Sequence, residues 1–436
     1  VIFLTSLTTS IGFLALTTTS IKIVQEFGIE IALGVMIAWL ISILIVPSGI
    51  LLFKSFEQKK GDKFSIILSW LSNTIPNQPW VFIIVPALIS SVAVYKIKDI
   101  STDASLLDDL RPKNKLYNDL KLTEKYFGGV LPFEVLIKIK PNSEKKDRTV
   151  IDKDILKLSS KVEEQLKYQL KESRFFSINT LLKSLKRIRG DKEYALNNQD
   201  IIEQVVKNQS NKEIKLISND RKILRIAGLI ENKSSSNMKK VYTKLDSLAE
   251  TFPDYLSLEY TGTTVVALRT NDYLVESLVN SLGIALIFIS IIMAVLFRTN
   301  SILFASLVSN LVPIFTVLGI LSWFGVSIRP PTAVTFSVAL GIAVDDSLHF
   351  LLRYRRELRQ GLNRVDAIKS TIINTGSALM ITTTVLVAGF SVLLLSAFLP
   401  TYQFGLLSAS MIGVALLCDL TLLPALCLVM PNPNSN

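Results

Sequence analysis

Apolar residues gather into eight long runs along the chain, near 1–20, 27–53, 80–97, 277–297, 302–325, 332–352, 374–397 and 404–430. About 20 residues of helix cross a hydrocarbon core, so each run is expected to be a membrane span. The second and last are longer, which predicts tilt or extension past the lipid. The third is short but is bounded by Trp80 and Tyr95, side chains suited to the interface. Between the third and fourth runs the pattern changes. Stretches 133–140, 222–231 and 256–260 alternate at period two and read as strands, with a further short strand at 175–178. Stretches 152–171 and 236–252 carry helical spacing. Strand, helix, strand, repeated, predicts a split βαβ fold for 99–276. The Asn-, Gln- and Lys-rich stretch 190–220 predicts a loop or small helical insertion.

Composition agrees with a membrane protein. The chain has 436 residues, 49% hydrophobic and 19% charged, with a mean hydropathy of +0.43. Its net charge of +11 does not point to nucleic acid, because the basic residues cluster beside spans. Lys54, Lys59, Lys60, Lys63, Arg298, Arg353, Arg355, Arg356, Arg359, Arg364 and Lys369 fall on one side; the short loops of the other side hold Lys22 and Arg329. The basic side is expected to be cytoplasmic. The expected order is then two spans over 1–53, a cytoplasmic linker over 54–79 and a span over 80–98. An exterior, periplasmic-side α/β domain over 99–276, a five-span bundle over 277–430 and a cytoplasmic tail over 431–436 follow. Cys418 and Cys427, nine residues apart on one predicted helix, lie ~13 Å from each other along its axis and cannot pair. No disulfide framework is therefore expected.

The chain also repeats itself. Residues 5–52 align without a gap to 382–429, with identities that include Thr5/Thr382, Gly12/Gly389, Phe13/Phe390, Leu16/Leu393, Phe27/Phe404, Gly28/Gly405 and Pro47/Pro424. Both copies run the same way across the membrane, a parallel repeat of the kind transporters use. The second copy is preceded by 79–377. By the same logic the parent is expected to hold two halves of six spans, twelve in all, with roughly 300 further residues before Val1.

The segment SVALGIAVDDSLHFLLR, 337–353, places Asp345 and Asp346 inside the sixth run. Asp345 precedes Arg353 by eight residues, so it sits ~12 Å from the basic end. A carboxylate at that depth costs about 3 kcal/mol or more, and two adjacent ones repel, so at least one is expected to bind a proton. Ser337, Gly341, Asp345 and His349 share one helical stripe, and its small residues let a neighbouring helix approach. His349, the chain's only histidine, is either a proton relay or a helix-end residue at the interface. Thr382, Thr383 and Thr384 in the seventh run, and Ser306, Ser309 and Asn310 in the fifth, lie at similar depth and can hydrogen-bond a carboxylate. Asp419 in the last run either supports the break near Pro424 or faces a cavity. No phosphate-binding loop or HExxH pattern occurs, so ATP hydrolysis and metal chemistry have no motif, and neither has an enzyme reading.

GIAVDDSLHFLLRYRRELRQG resembles the tenth-span signature of the resistance-nodulation-division (RND) superfamily. It is most similar to the hydrophobe/amphiphile efflux family 3 and the MMPL lipid exporters. QFGLLSA at 403–409, DLTLLPAL at 419–426, IGFLAL and EFGIEIALGV fit the same pattern. The resemblance covers the whole chain and marks it as the C-terminal portion of such a protein. It implies a polytopic α-helical inner-membrane protein with porter domains and proton antiport, with Asp345 and Asp346 at the proton-carrying positions. Many relatives have Asp-Tyr where this chain has Asp-Asp, so the carrier is either acid. The expected function is proton-driven export of lipids or other amphiphiles, powered by the proton gradient without a cofactor. The partners implied are membrane lipid, an apolar small-molecule substrate, and a further copy or accessory envelope proteins. A sterol-sensing-like lipid receptor and a protein-translocation accessory are the alternatives; the acid pair weighs against a sensor.

Overall fold

The apolar runs form long helices. The computed structural model describes residues 2–19, 22–52, 64–98, 105, 107, 110–111, 114–141, 147–171, 173–189 and 215–431. Lys54, Lys59, Lys60, Lys63, most of the 190–220 insertion and the tail beyond 431 lie outside these residues. The chain forms two units, Val1–Thr102 with Tyr273–Asn436, and Asp103–Asp272.

In the first unit, α1 (Ile2–Leu14) continues into a 3-10 turn, Ala15–Thr18, and is followed by α2 (Lys22–Leu52), α3 (Ser65–Asn77) and α4 (Pro79–Ile97). Seven helices among the described residues are long and apolar enough to cross a membrane. The predicted first span is not among them, because its apolar helix over Phe3–Thr18 is shorter. The predicted linker is not all loop either. In α3, Leu68, Leu71, Ser72 and Ile75 are buried, a helical i, i+3, i+4, i+7 stripe.

The second unit begins with α5 (Lys115–Phe127), which Asn114 caps by accepting from the Leu116 amide at 2.9 Å. Next come β1 (Leu131–Ile139), α6 (Lys153–Gln169), β2 (Arg174–Phe176) and α7 (Ile178–Arg189). The unit continues through β3 (Ile223–Ile230), α8 (Ser235–Ala249) and β4 (Leu256–Thr261). The strands form one antiparallel sheet in the order β2-β3-β1-β4, with Val135 opposite Ile226 and Tyr260. That order, with α6 between β1 and β2 and α8 between β3 and β4, is the split βαβ arrangement. Phe133, Val135, Ile137 and Ile139 alternate inward against Ile155, Leu156 and Leu166 of α6 and Met238, Val241 and Leu245 of α8. Burying these side chains stabilises the unit by about 1.5–3 kcal/mol for each one fully buried.

The chain returns to the first unit along α9 (Thr263–Phe297), then α10 (Asn300–Trp323), α11 (Pro330–Arg359) and α12 (Arg364–Ser391). A second 3-10 turn, Val392–Leu395, leads to α13 (Leu399–Leu420) and α14 (Leu422–Val429). The last predicted span is thus broken at Thr421. Pro424 supplies no N–H to the carbonyl four residues back, and Thr421 leaves helical geometry (φ −123°, ψ −62°). The basic residues beside the spans close helix ends. Arg355 donates to the Leu296 carbonyl at 2.7 Å, and Arg364 donates to the carbonyls of Cys427 and Met430.

The two copies of the repeat share their geometry. Both 3-10 turns fall at equivalent positions, as do the ends of α1 and α12 and the starts of α2 and α13. A Cβ on Gly28 would meet the Phe13 carbonyl oxygen at 2.6 Å, and one on Gly405 would meet that of Phe390 at 2.7 Å. Each glycine lets its hairpin close tightly. The proline differs: Pro47 lies inside an unbroken α2, whereas Pro424 follows the break.

Candidate functional site

Helix α11 is the centre of the membrane unit. In the apolar stretch of α11 78% of residues are buried, against 6% in that of α2 and 11% in that of α12. It packs against α1, α10, α12 and α13. Successive residues on a helix are 100° apart, so Asp345, Asp346 and Ser347 face three different neighbours.

Asp345 points toward α1. Thr5 of α1 lies within electrostatic reach of its carboxylate, and His349 Nε2 lies 3.7 Å from its Oδ1, which has no hydrogen-bond partner among the described residues. About a third of each side chain, Asp345 and His349, is exposed. The stripe predicted above Asp345 is where α1 closes in: a Cβ on Gly12 would stand 3.2 Å from the Gly341 Cα. Ser337 is buried in that stripe, and its hydroxyl has no partner among the described residues.

Asp346 points toward α12 and is buried. Thr383 donates to its Oδ2 at 3.3 Å. Thr382 does not join this group. It is exposed and bonds the Ala378 and Leu379 carbonyls of its own helix at 3.1 and 3.0 Å, as Thr384 bonds Met380. The threonine within electrostatic reach of Asp345 is instead Thr5, the repeat counterpart of Thr382.

Ser347 points toward α10 and α13. It donates to Asp419 Oδ1 at 2.5 Å and accepts from Asn310 Nδ2 at 3.1 Å. Ser309 Oγ lies 3.4 Å away, and Asn310 also donates to the Ser306 carbonyl at 2.8 Å. Asp419 is 1% exposed and within electrostatic reach of Asp346. The backbone break at Thr421 leaves Asp419 inside α13 with Ser347 as its donor, so it is part of the polar layer.

Sequence reasoning thus found Asp345, Asp346, His349, Thr383, Ser306, Ser309, Asn310 and Asp419 of this layer, and missed Thr5 and Ser347. The repeat carried the signal for Thr5, and the 100° step carried it for Ser347. Five helices supply the layer, and among the described residues no group of acidic, His or Cys side chains is arranged to hold a metal ion. The layer has the chemistry to bind and release protons: it holds three carboxylates, hydroxyl groups donate to Asp346 and Asp419, and His349 stands beside Asp345.

Comparison with known proteins places this architecture. The chain is 24% identical over 377 residues to membrane protein MJ1562 of Methanocaldococcus jannaschii, covering 83% of this chain and 94% of that one. It is 24% identical over 208 residues to the multidrug resistance protein MdtC of Escherichia coli, covering 47% of this chain and 20% of MdtC. In three dimensions it is similar to the hedgehog release protein Disp of the water bear Hypsibius dujardini, solved by cryo-EM, with a TM-score of 0.63. That match has 12% identity and covers 99% of this chain and 58% of Disp. The family is one of membrane transporters rather than enzymes, within the RND group. The MMPL family profile matches residues 1–79 and 162–432, and the chain belongs to the MMPL family.

Proposed function

We propose that the chain is the proton-coupling part of an exporter of lipids or other amphiphiles in the inner membrane, with 103–272 as its exterior porter unit. One observation carries this reading: Asp346 is buried in the central helix of a membrane bundle, with a neutral hydroxyl as its hydrogen-bond partner. A proton on Asp346 makes it neutral and compatible with close packing of α11 and α12. Loss of the proton leaves a charge that only donors or water can hold, and so favours another arrangement of the bundle. Asp345 and His349 are the more open face, with His349 about one turn nearer the basic end, and serve as the route between Asp346 and the cytoplasm. Each pH unit across the membrane supplies about 1.4 kcal/mol per proton carried. A membrane potential of 100 mV adds about 2.3 kcal/mol per charge.

An apolar groove supports a lipid-like substrate. It has a volume of about 510 Å³, lies between α4 and α10, and is lined by Leu88, Val92, Gly319, Ile320, Trp323 and Phe324. Ser90 and Thr316 bond across the helix pair at 3.3 Å, and Ser322 donates to the Lys96 carbonyl at 2.6 Å. The test is gradient-driven movement of a fluorescent amphiphile across vesicles holding the full chain. Asp346→Asn is expected to stop it, and Asp345→Asn to slow or stop it, with insertion retained. Wild-type movement in both variants would refute the reading.

A further inference from the structure

Asp419 is the most buried acid of the layer, and its hydrogen bond is to Ser347, not to Asp345 or Asp346. Its Oδ1 takes the Ser347 hydroxyl hydrogen, while its Oδ2 has no hydrogen-bond partner among the described residues. The direction of the hydrogen bonds is fixed from the far end. Asn310 Nδ2 donates to the Ser306 carbonyl at 2.8 Å, which only the nitrogen side of the amide can do, and the same nitrogen donates to Ser347 Oγ at 3.1 Å. Ser309 spends its own hydrogen on the Ser306 carbonyl at 3.0 Å. The single hydrogen of Ser347 is therefore committed to Asp419 Oδ1, which leaves Oδ2 as the oxygen open to a proton.

The described residues around Asp419 offer no counter-charge. Of the helices packed on α13, α11 brings Asp346 within electrostatic reach and α10 brings Ser306, Ser309 and Asn310. Helix α12 brings Thr383 to Asp346, and Cys418 is the neighbour on α13 itself. No lysine, arginine or histidine pairs with Asp419 among the described residues. Two buried carboxylates in mutual reach without a cation do not both stay charged, and they titrate as a pair.

We propose that Asp419 is a second proton-carrying carboxylate, which loads on Oδ2 and shares its titration with Asp346, and that Ser347 and Asn310 are positioning residues that keep Oδ1 occupied. The step is simple protonation: a proton from the aqueous phase forms an O–H bond at Oδ2, the carboxylate becomes a neutral acid, and the bond breaks on release. Nothing is oxidised or reduced. The inference rests on the proposed proton coupling and deepens it, because two acids loading in one layer carry two protons per cycle instead of one.

Infrared difference spectroscopy of the full chain in lipid, between neutral and mildly acidic pH, tests it. Exposed carboxylates stay ionised there, so a protonated-carboxyl C=O band reports buried acids. The wild type is expected to titrate in two steps. Asp419→Asn should remove one band and leave a single step. Asp419→Glu should restore the band, and Asn310→Ala should keep it but move its frequency. An unchanged spectrum in Asp419→Asn would overturn the proposal. If Asp419→Asn cannot be purified folded, Asp346→Asn must still leave a titrating band; its absence would overturn the proposal too. Failure of the broader reading looks different: Asp345→Asn and Asp346→Asn would then leave the spectrum unchanged while Asp419→Asn alone altered it.

Discussion

Helices α1 and α11 touch at Gly12 and Gly341, where a Cβ on Gly12 would stand 3.2 Å from the Gly341 Cα. The contact lies one turn from Asp345 and holds Thr5 against it. The reverse substitution is milder: a Cβ on Gly341 would find the Thr9 oxygen at 3.8 Å and the Gly12 Cα at 4.0 Å, ordinary van der Waals distances. Gly12→Leu is expected to cost about 1–3 kcal/mol by overpacking and to lower the melting temperature in detergent. Gly341→Ala should be nearly neutral. Equal melting shifts for the two would contradict this geometry.

Thr382 and Thr383 are neighbours in sequence with opposite roles. Thr383→Val removes the donor to Asp346, worth about 1 kcal/mol, and should slow gradient-driven transport roughly five-fold. Thr382→Val removes only bonds to its own helix and should leave transport unchanged. Transport rates of the two variants at equal protein level decide between them.

The repeat makes a paired prediction. Gly28→Ala and Gly405→Ala would each drive a Cβ to within 2.7 Å of a carbonyl oxygen, that of Phe13 or Phe390, in the last turn of the facing helix, and each should destabilise the bundle by about 1–3 kcal/mol. Gly34→Ala and Gly413→Ala, with nothing within 4 Å, should not. Thermal unfolding of the four variants checks the equivalence of the two hairpins.

Most of this architecture was legible from periodicity. Runs of twenty apolar residues and period-two strands are local signals, and the strands at 133–140 and 222–231 do pair in one sheet. What was not legible depends on tertiary contact. Helix α3 is polar enough, with Ser72, Asn73 and Thr74, to pass for a linker until Leu68 and Ile75 are seen buried. Thr5 belongs to the site only because two glycines let α1 approach α11. Thr382 has the right depth but faces out, and depth alone does not fix rotation about a helix axis. Asp419 was visible as a buried acid; its donor, Ser347, required knowing which helix stood opposite.

Outside the membrane spans, Arg148 ties the start of α6 to β4. Its Nε donates to Asp152 at 2.8 Å, its Nη1 donates to the Tyr255 hydroxyl at 2.6 Å, and its Nη2 donates to Asp154. Burial pulls the Asp154 carboxyl upward, but the hydrogen bond and charge of Arg148 outweigh it and hold the group below its ordinary value. A depressed carboxyl contributes stability above its unfolded value, near ~3.9, and that contribution is lost as pH falls through the folded value. The Asp154 side chain is half-exposed, so the effect is below about 1 kcal/mol. Amides at the start of α6 should lose exchange protection in acid, and Arg148→Met should remove that acid step. An identical acid profile in the variant would rule the pair out as its source.

Proton flux is the most direct measure of the central claim. Liposomes carrying the full chain and an enclosed pH-sensitive dye are given an inward proton gradient together with a transportable amphiphile. The wild type is expected to acidify the lumen faster than empty liposomes, and Asp346→Asn to match empty liposomes while remaining folded. Acidification by Asp346→Asn at the wild-type rate would contradict proton coupling through Asp346.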